Sequence, residues 1–86
     1  MSTDTAWWVY IIECRGKRLY TGISNNVEAR FEAHCAGRGA RFTRAFPPER
    51  VVATAEFAGR SEASRAESAI KRLPATRKVA ALAAMG

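Results

Sequence analysis

The sequence predicts an α+β domain in which a small three-stranded antiparallel sheet is flanked by helices, in the order β-β-α-β-α-α. Three short segments are rich in aromatic and β-branched residues, which favour strands. Three other segments have apolar residues at helical spacing. Because 86 residues supply only one hydrophobic core, we expect a single domain over residues 1–86, with an ordered core from about residue 6 to residue 82.

The first two strands are predicted to form a hairpin. Residues 6–14 are an almost unbroken aromatic and β-branched run, which is typical of a central strand buried on both faces. Residues 15–17 supply a turn, and residues 18–23 return as the second strand. A loop of odd length pairs residue 10 with 22 and residue 12 with 20, so that Tyr10 and Tyr20 share one face. We predict this odd-length loop, because a two-residue loop would separate the tyrosines.

The middle of the chain is predicted to be a helix followed by a basic loop. Asn25 or Asn26 is a plausible N-cap for a helix near residues 26–36. Its apolar stripe is predicted to consist of Val27, Phe31 and Cys35. Residues 37–44 follow as a loop, and residues 50–57 are predicted to form the third strand.

Two helices are predicted to complete the fold. Ser61 is a candidate cap for a helix whose apolar positions recur at helical spacing until Pro74 stops it. Thr76 is a candidate cap for a last short helix through Leu82, after which the terminal residues are expected to fray.

The composition favours a polyanionic partner. Fourteen basic residues against eight acidic ones give a net charge of +6, and eleven of the fourteen are arginine, which suits phosphate recognition. A small basic domain with no such partner is the alternative interpretation. The two cysteines lack the paired spacings of a zinc site, and the sequence has neither a signal-peptide pattern nor an apolar run of membrane-spanning length. We therefore expect a cytoplasmic protein with no membrane association.

Two tyrosine triplets and three later residues form the most informative pattern. The triplets are Val9-Tyr10-Ile11 and Tyr20-Thr21-Gly22, followed by Arg30, His34 and Glu67. In this order and spacing, the pattern resembles the GIY-YIG nuclease superfamily, and especially its small stand-alone members and the structure-specific endonucleases that resolve branched DNA. The resemblance extends from Trp8 to about Leu82 and includes residues 37–44, 64–67 and 70–73.

The resemblance implies roles for both tyrosines. Tyr10 would help to deprotonate the water that attacks phosphorus, and Tyr20 would hydrogen-bond near that water and shape the pocket. A phenol has an ordinary pKa near 10, so a nearby cation or metal-bound water would have to assist Tyr10 at neutral pH. The alternative is that these tyrosines only pack in the sheet.

Arg30 and His34 lie one helical turn apart, which places them on one line of the first helix, beside the apolar stripe and at the lip of a cleft. Arg30 could hold the scissile phosphate and stabilise the charge of the transition state. His34 could orient a tyrosine or share a proton. A solvated basic face and a rim histidine are the alternatives.

Glu67 lies between Ala63 and Ile70 on the helix face that is expected to point toward the protein. A carboxylate there is a candidate ligand for one divalent metal ion, Mg²⁺ or Mn²⁺, because such an ion binds through one or two carboxylates together with waters and phosphate oxygens. The alternative is an intrahelical pair with Lys71 at position i+4.

A basic segment is the candidate nucleic-acid contact. It contains the residues Arg38, Arg41, Phe42 and Arg44, which could follow a phosphate backbone and stack one base. The basic residues of the two later helices are interpreted as solvated helix faces. Some family members carry a lysine just after the second triplet and an asparagine beyond the glutamate, whereas here Ile23 follows Gly22 and no asparagine matches.

These observations predict a metal-dependent, endonuclease-like phosphodiesterase that acts on DNA, branched or single-stranded, in DNA repair or recombination. One alternative is a nucleic-acid-binding module that keeps the fold without the chemistry. Another is a subunit that docks onto a larger repair protein through tryptophan or alanine-rich helix surfaces. A homodimer is also compatible with the sequence.

Overall fold

The computed structural model describes residues 6–85, which form three strands and four helices. The strands make one antiparallel sheet in the order β2-β1-β3, so β1 is central, as predicted. The α+β fold class is confirmed, with one helix more than the sequence predicted. The elements are β1 (Trp7–Cys14), β2 (Arg18–Ser24), α1 (Val27–Cys35), α2 (Arg41–Ala45), β3 (Pro48–Phe57), α3 (Arg60–Lys71) and α4 (Ala75–Met85).

The hairpin between β1 and β2 has the predicted odd-length loop. A three-residue 3-10 turn, Arg15–Lys17, joins the strands. Tyr10 therefore lies opposite Gly22, and Ile12 lies opposite Tyr20. Because residues two positions apart in a strand share a face, both tyrosines lie on the same side of the sheet.

The sheet separates two hydrophobic clusters. Odd-numbered residues of β1, Val9 and Ile11, pack with α3 and α4 through partners that include Ile70 and Leu82. Even-numbered residues of β1 face the other way, toward α1 and α2; this second cluster contains Tyr10, Ile12, Cys14, Tyr20, Val27, Phe31, Phe42 and Phe46. The apolar character of β1 on both faces, noted in the sequence, follows from this central position.

Helix α1 confirms the predicted cap but not the predicted stripe. Asn26 is the N-cap, and its side chain accepts a hydrogen bond of 3.1 Å from the backbone N–H of Ala29. The prediction that Cys35 completes the buried face is wrong: Cys35 is exposed, whereas His34 is 1% exposed. The buried face of α1 therefore contains Phe31 and, three positions later, His34. The histidine is buried because its ring has hydrogen-bond partners in the core.

Several boundaries differ from the predictions; among them, β3 begins at Pro48 and α4 begins at Ala75, so Thr76 lies inside the helix and does not cap it. Residues 41–45 form α2 rather than a loop, because Phe42 and Phe46 lie one helical turn apart and pack together on the second cluster. The N-cap of α3 is Gly59 and not Ser61, which lies in the first turn of the helix. The last helix continues to Met85 because Leu82 is fully buried beneath the sheet and holds it in place.

Lys78 joins the last two helices. Its ammonium group donates hydrogen bonds to the carbonyls of Ile70 and Lys71, at 2.9 and 3.1 Å. These carbonyls belong to the last turn of α3, where the Ile70 carbonyl also accepts from the Leu73 N–H at 3.0 Å, so the lysine of α4 helps to cap α3. Within residues 6–85, no helix combines the length and the apolar character needed to cross a bilayer.

Candidate active site

Three aromatic side chains from three elements meet on the α1 side of the sheet. The ring centroids of Tyr10 and Tyr20 are 6.3 Å apart, as the hairpin register requires. The His34 ring from α1 lies 5.0 Å from that of Tyr20 and 6.0 Å from that of Tyr10. The structure therefore brings together three residues that are separated by up to 24 positions in the sequence.

A buried hydrogen bond connects two of these side chains. The Tyr10 hydroxyl lies 2.9 Å from Nε2 of His34. Each of these residues is only 1% exposed. The prediction that His34 lies beside the buried stripe, at the lip of a cleft, is therefore wrong, because its ring forms part of the packed core beneath the site.

The other nitrogen of His34 faces the chain segment before and inside α2. Its Nδ1 lies 2.7 Å from the hydroxyl oxygen of Thr43, and that hydroxyl donates to the Ala40 carbonyl at 3.0 Å. Gly39 passes so close that a Cβ at this position would overlap Nδ1. Sequence reasoning missed Thr43 and Gly39, since neither residue has a local periodic or capping signal that would reveal contact with a histidine earlier in the chain.

A residue of the second triplet, Gly22, lies in close contact with the Tyr10 ring. Gly22 is buried opposite Tyr10, and a Cβ at this position would lie 2.5 Å from the Tyr10 hydroxyl oxygen and 2.7 Å from Cζ. Real Cβ atoms do not approach other heavy atoms this closely. Glycine is therefore required here so that the Tyr10 ring can lie across the neighbouring strand.

Burial and neighbouring charges set the protonation of the site. Burial, reinforced by the neighbouring Tyr20 phenol, raises the pKa of Tyr10 to about 12, although the Arg30 guanidinium beside its hydroxyl opposes this increase. The same desolvation, together with the charge of Arg30, lowers the pKa of His34 below its ordinary value of 6.5. Both Tyr10 and His34 are consequently neutral at pH 7, while Arg30 is exposed on α1 and supplies a positive charge.

Glu67 contributes a negative charge from α3. Its side chain is 19% exposed, and its charge reaches the site, where it contributes to the raised pKa of Tyr10. The intrahelical pair that was the alternative interpretation is also present, with Lys71 Nζ 3.2 Å from the Glu67 carboxylate. The negative charge of the carboxylate therefore acts on the Tyr10 hydroxyl, and the Lys71 ammonium is already in contact with that carboxylate.

The ligands that the site offers suit an ion such as Mg²⁺, which needs few protein oxygens. Among residues 6–85, no group of three or more His, Cys, Asp and Glu side chains is arranged to hold a metal ion. Mg²⁺ needs no such cage, since it keeps several waters and commonly binds through one or two carboxylates and substrate phosphates. Glu67, which is partly exposed at the margin of the site, can supply such a carboxylate.

The predicted nucleic-acid segment lies next to the aromatic cluster. Arg38, Arg41 and Arg44 are exposed. The Phe42 ring is half-buried, with its centroid 5.9 Å from that of Tyr20 and 5.1 Å from that of Phe46. The arginines can reach a ligand, while Phe42 attaches α2 to the site through ring packing.

Comparison with known families identifies the architecture. The family model described as the GIY-YIG catalytic domain matches residues 6–79. The chain belongs to the GIY-YIG family. Its nuclease-type fold places the first triplet on β1 and the second on β2.

Several small proteins are similar to this GIY-YIG domain over most of their length. A UPF0213 protein from Cupriavidus necator is 47% identical over 78 residues, which cover 91% of this chain and 85% of that protein. A UPF0213 protein from Xanthomonas axonopodis pv. citri is 50% identical over 78 residues, covering 91% and 76%. The solution NMR structure of a UPF0213 protein from Bacillus halodurans is 37% identical, with a TM-score of 0.56, and the match covers 94% of this chain and 86% of that one.

Proposed function

We propose that this GIY-YIG protein is a divalent-metal-dependent endonuclease that hydrolyses phosphodiester bonds in DNA. The observation that supports the proposal best is the buried hydrogen bond between Tyr10 and His34, because it joins a hydroxyl at the site to a neutral base. Arg30 and Glu67 add charges of opposite sign around the same hydroxyl. Membership of a family named for its catalytic domain supports the same conclusion.

The hydrolysis requires that a water lose a proton as it attacks. The water oxygen forms a new bond to phosphorus, and one P–O ester bond breaks to give a phosphomonoester and a hydroxyl group. The proton of the water passes to the Tyr10 oxygen while the proton of Tyr10 passes to Nε2 of His34. The leaving oxygen takes a proton from solvent, and His34 later returns its proton to solvent. Passing the proton through Tyr10 avoids a free phenolate, which its pKa of about 12 disfavours at neutral pH.

Arg30 and Tyr20 act on the substrate side of this relay. The Arg30 guanidinium is exposed beside the Tyr10 hydroxyl, where it can hold the phosphate and stabilise charge that develops on its oxygens. Tyr20 is half-buried, and its ring packs edge-on against His34. We assign Tyr20 to shaping the pocket and orienting the attacking water.

Glu67 would hold the divalent metal, Mg²⁺ or Mn²⁺. When bound, such an ion neutralises the phosphate oxygens on which negative charge accumulates. The Glu67 carboxylate would first have to break its ion pair with Lys71, whose Nζ lies 3.2 Å away. Since an i,i+4 pair at a helix surface contributes only about 0.2–0.5 kcal/mol, this exchange costs little.

The substrate proposed is DNA, in branched or single-stranded form, and the proposed setting is repair or recombination. A net charge of +6 favours a polyanion, and Arg38, Arg41 and Arg44 present exposed guanidinium groups near the aromatic cluster. These groups are suited to contacting the phosphate backbone, which carries no sequence information by itself.

A second candidate function is a nucleic-acid-binding module without catalysis. The observation in its favour is the contact between Lys71 and Glu67, which places a cation on the carboxylate that the enzyme would need for a metal. The two functions differ in one measurable property, since only the enzyme cleaves DNA in a metal-dependent manner.

The test uses the purified protein and a Glu67→Gln variant with linear duplex, single-stranded and branched DNA, in Mg²⁺, Mn²⁺ or chelator. Glu62→Gln is the matched control, because Glu62 is an exposed glutamate on the same helix. We expect metal-dependent cleavage by the parent and by the control, and loss of cleavage in Glu67→Gln. Binding without cleavage in all three proteins would instead identify the binding module.

A further inference from the structure

The hydroxyl of Thr43 determines how His34 can be protonated. A threonine hydroxyl has one proton to donate. Thr43 donates that proton to the Ala40 carbonyl at 3.0 Å, and its oxygen is 2.7 Å from Nδ1 of His34. With its proton already used, the Thr43 oxygen can only accept from His34. The Nδ1 atom then carries the ring hydrogen.

This assignment leaves the opposite ring nitrogen free to act as a base. Neutral imidazole has one N–H, so an Nδ1–H tautomer places the lone pair on Nε2, 2.9 Å from the Tyr10 hydroxyl. A competing contact, from the Ala40 N–H to Nδ1, is 3.4 Å long and therefore much weaker than the 2.7 Å contact with Thr43. The opposite tautomer would make His34 a donor to Tyr10 and remove the proton acceptor of the relay.

We propose that Thr43 is a positioning residue that fixes His34 in the Nδ1–H tautomer and so directs a basic nitrogen at Tyr10. The significance of the tautomer rests on the proposed hydrolysis, but the tautomer itself does not depend on it. Residues 39–43 thereby contact the side of the His34 ring that points away from Tyr10. Gly39 allows the backbone to pass close to this ring, and Thr43 accepts a hydrogen bond from Nδ1.

The tautomer can be measured directly by NMR. The chain contains one histidine, so the imidazole ¹⁵N signals of the protein belong to His34 without assignment. In DNA-free protein at pH 8, we expect a protonated Nδ1 and an unprotonated Nε2. Observation of the Nε2–H tautomer in the parent protein would overturn the proposal whatever the protein does to DNA.

Substitutions at Thr43 complete the test. Thr43→Val keeps the shape and removes the hydroxyl, so we expect the two tautomers to mix and cleavage to fall about 10- to 100-fold, as happens when a metal-bound histidine loses the partner that orients it. Thr43→Ser restores the hydroxyl and should recover both the Nδ1–H tautomer and the rate of cleavage. An unchanged tautomer in Thr43→Val would overturn the assigned role, and Thr43→Ser provides the comparison if the valine variant does not fold.

An independent observation concerns the outward surface of α3. Seven exposed positions of this helix and its C-cap are basic residues or serines: Arg60, Ser61, Ser64, Arg65, Ser68, Lys71 and Arg72. At 3.6 residues per turn they cover an arc of about 140° that contains no acidic side chain. Five of them, residues 60, 61, 64, 65 and 68, line an open groove of about 500 Å³.

Two contacts connect this surface to the rest of the molecule. The Arg60 guanidinium lies 5.2 Å from the centroid of the Trp7 ring, which orients its side chain. At the other end, Lys71 contacts Glu67, the carboxylate at the margin of the active site. The surface therefore begins beside the proposed metal ligand and extends along α3 toward Arg60.

From this charge pattern we infer that the outward surface of α3 binds the phosphate backbone of a DNA strand leaving the active site. This inference rests on the proposed function. Arginine and serine side chains are common donors to phosphate oxygens, and twelve helical residues span about 18 Å, which equals the axial rise of about five nucleotides.

Salt-dependent binding of a non-cleavable DNA, measured in chelator, tests this surface. For Arg60→Ala/Arg65→Ala we expect weaker binding, and a slope of log affinity against log salt reduced by about two. The matched control is Arg15→Ala/Arg77→Ala, which removes two exposed arginines elsewhere. An equal loss in both double variants would overturn the inference. Binding is measured without cleavage, so a failure of this inference can be distinguished from a failure of the proposed catalysis.

Discussion

The Tyr10 hydroxyl lies 2.9 Å from Nε2 of His34, and both side chains are closed off from solvent. The bond joins the central strand β1 to helix α1, so it is both part of the core and the start of the proposed proton relay. Removing either partner takes away a hydrogen bond between two residues that are each only 1% exposed, and the polar atom that remains loses its nearest partner.

Tyr10→Phe is expected to separate the chemical role of this bond from its packing role. The ring still fills its place in the core, but the hydroxyl that receives the proton of water is lost. We expect cleavage to fall about 100-fold or more, and the free energy of unfolding to fall by about 1–3 kcal/mol because Nε2 is left unsatisfied. Single-turnover cleavage and urea unfolding measure the two effects. A variant that cleaves at the parental rate would rule out the relay.

The stability of the protein is expected to decrease as the pH falls below about 6.5. Burial, followed by the Arg30 charge, lowers the pKa of His34 in the folded state, so the unfolded chain binds this proton more readily. The contribution of His34 is therefore fully present above about pH 6.5 and is lost progressively at lower pH.

Urea unfolding of the parent and of His34→Gln, at pH values from 8 to 5.5, measures this effect. The variant cannot titrate at position 34, so its free energy of unfolding should change less over the same range. Its lower stability at pH 8 is expected from the loss of two buried contacts, to Tyr10 and Thr43. The same pH dependence in both proteins would assign the effect to other groups.

The sequence predicted the hairpin and its consequences because these depend on local rules. Residues 15–17 set the length of the turn, and alternation along each strand then places Tyr10 and Tyr20 on one face. Glu67 stands out in the sequence because it lies between Ala63 and Ile70 on the inward side of its helix, and its role as a metal ligand stays a prediction.

The supporting contacts of His34 could not be predicted in the same way. Cys35 fits the i+4 apolar stripe better than His34 does, and only the partners of His34 on β1 and α2 explain why the histidine is buried. Thr43 reads as a loop residue in a basic segment, because the aromatic contacts that make residues 41–45 helical come from the folded core. Tertiary packing decided both positions.

Lys71→Gln is expected to decrease the metal concentration needed for half-maximal cleavage. The Lys71 ammonium lies 3.2 Å from the Glu67 carboxylate, so it competes with a metal ion for that group. Because the pair is worth only about 0.2–0.5 kcal/mol, the decrease should be about twofold. Mg²⁺ titrations of cleavage at saturating DNA provide the measurement.

Arg72→Gln is the matched control for this titration, because it removes the neighbouring positive charge. The salt bridges among the described residues include Lys71 with Glu67 but none between Arg72 and that carboxylate. We expect its half-saturating Mg²⁺ concentration to stay close to that of the parent. A higher Mg²⁺ requirement in Lys71→Gln would show that the lysine assists the metal site.

Gly22→Ala is expected to disrupt the active site from the second triplet. A Cβ at this position would lie 2.5 Å from the Tyr10 hydroxyl oxygen, and the backbone pairing of the two residues in the sheet leaves little room for either strand to move away. Overpacking of this kind costs about 1–3 kcal/mol. We expect lower stability, a shifted His34 ¹⁵N signal and loss of cleavage, since displacing Tyr10 breaks its contact with His34.

Gly37→Ala is the control for this substitution because it changes a glycine without crowding a neighbour. Gly37 has a left-handed φ of 79°, but a Cβ there would have nothing within 4 Å. We expect a loss of about 1 kcal/mol from backbone strain alone, with cleavage and the His34 signal unchanged. If Gly22→Ala also left the His34 signal unchanged, the strand would have yielded instead of the Tyr10 ring, and a close approach at Gly22 would not be what holds Tyr10 against His34.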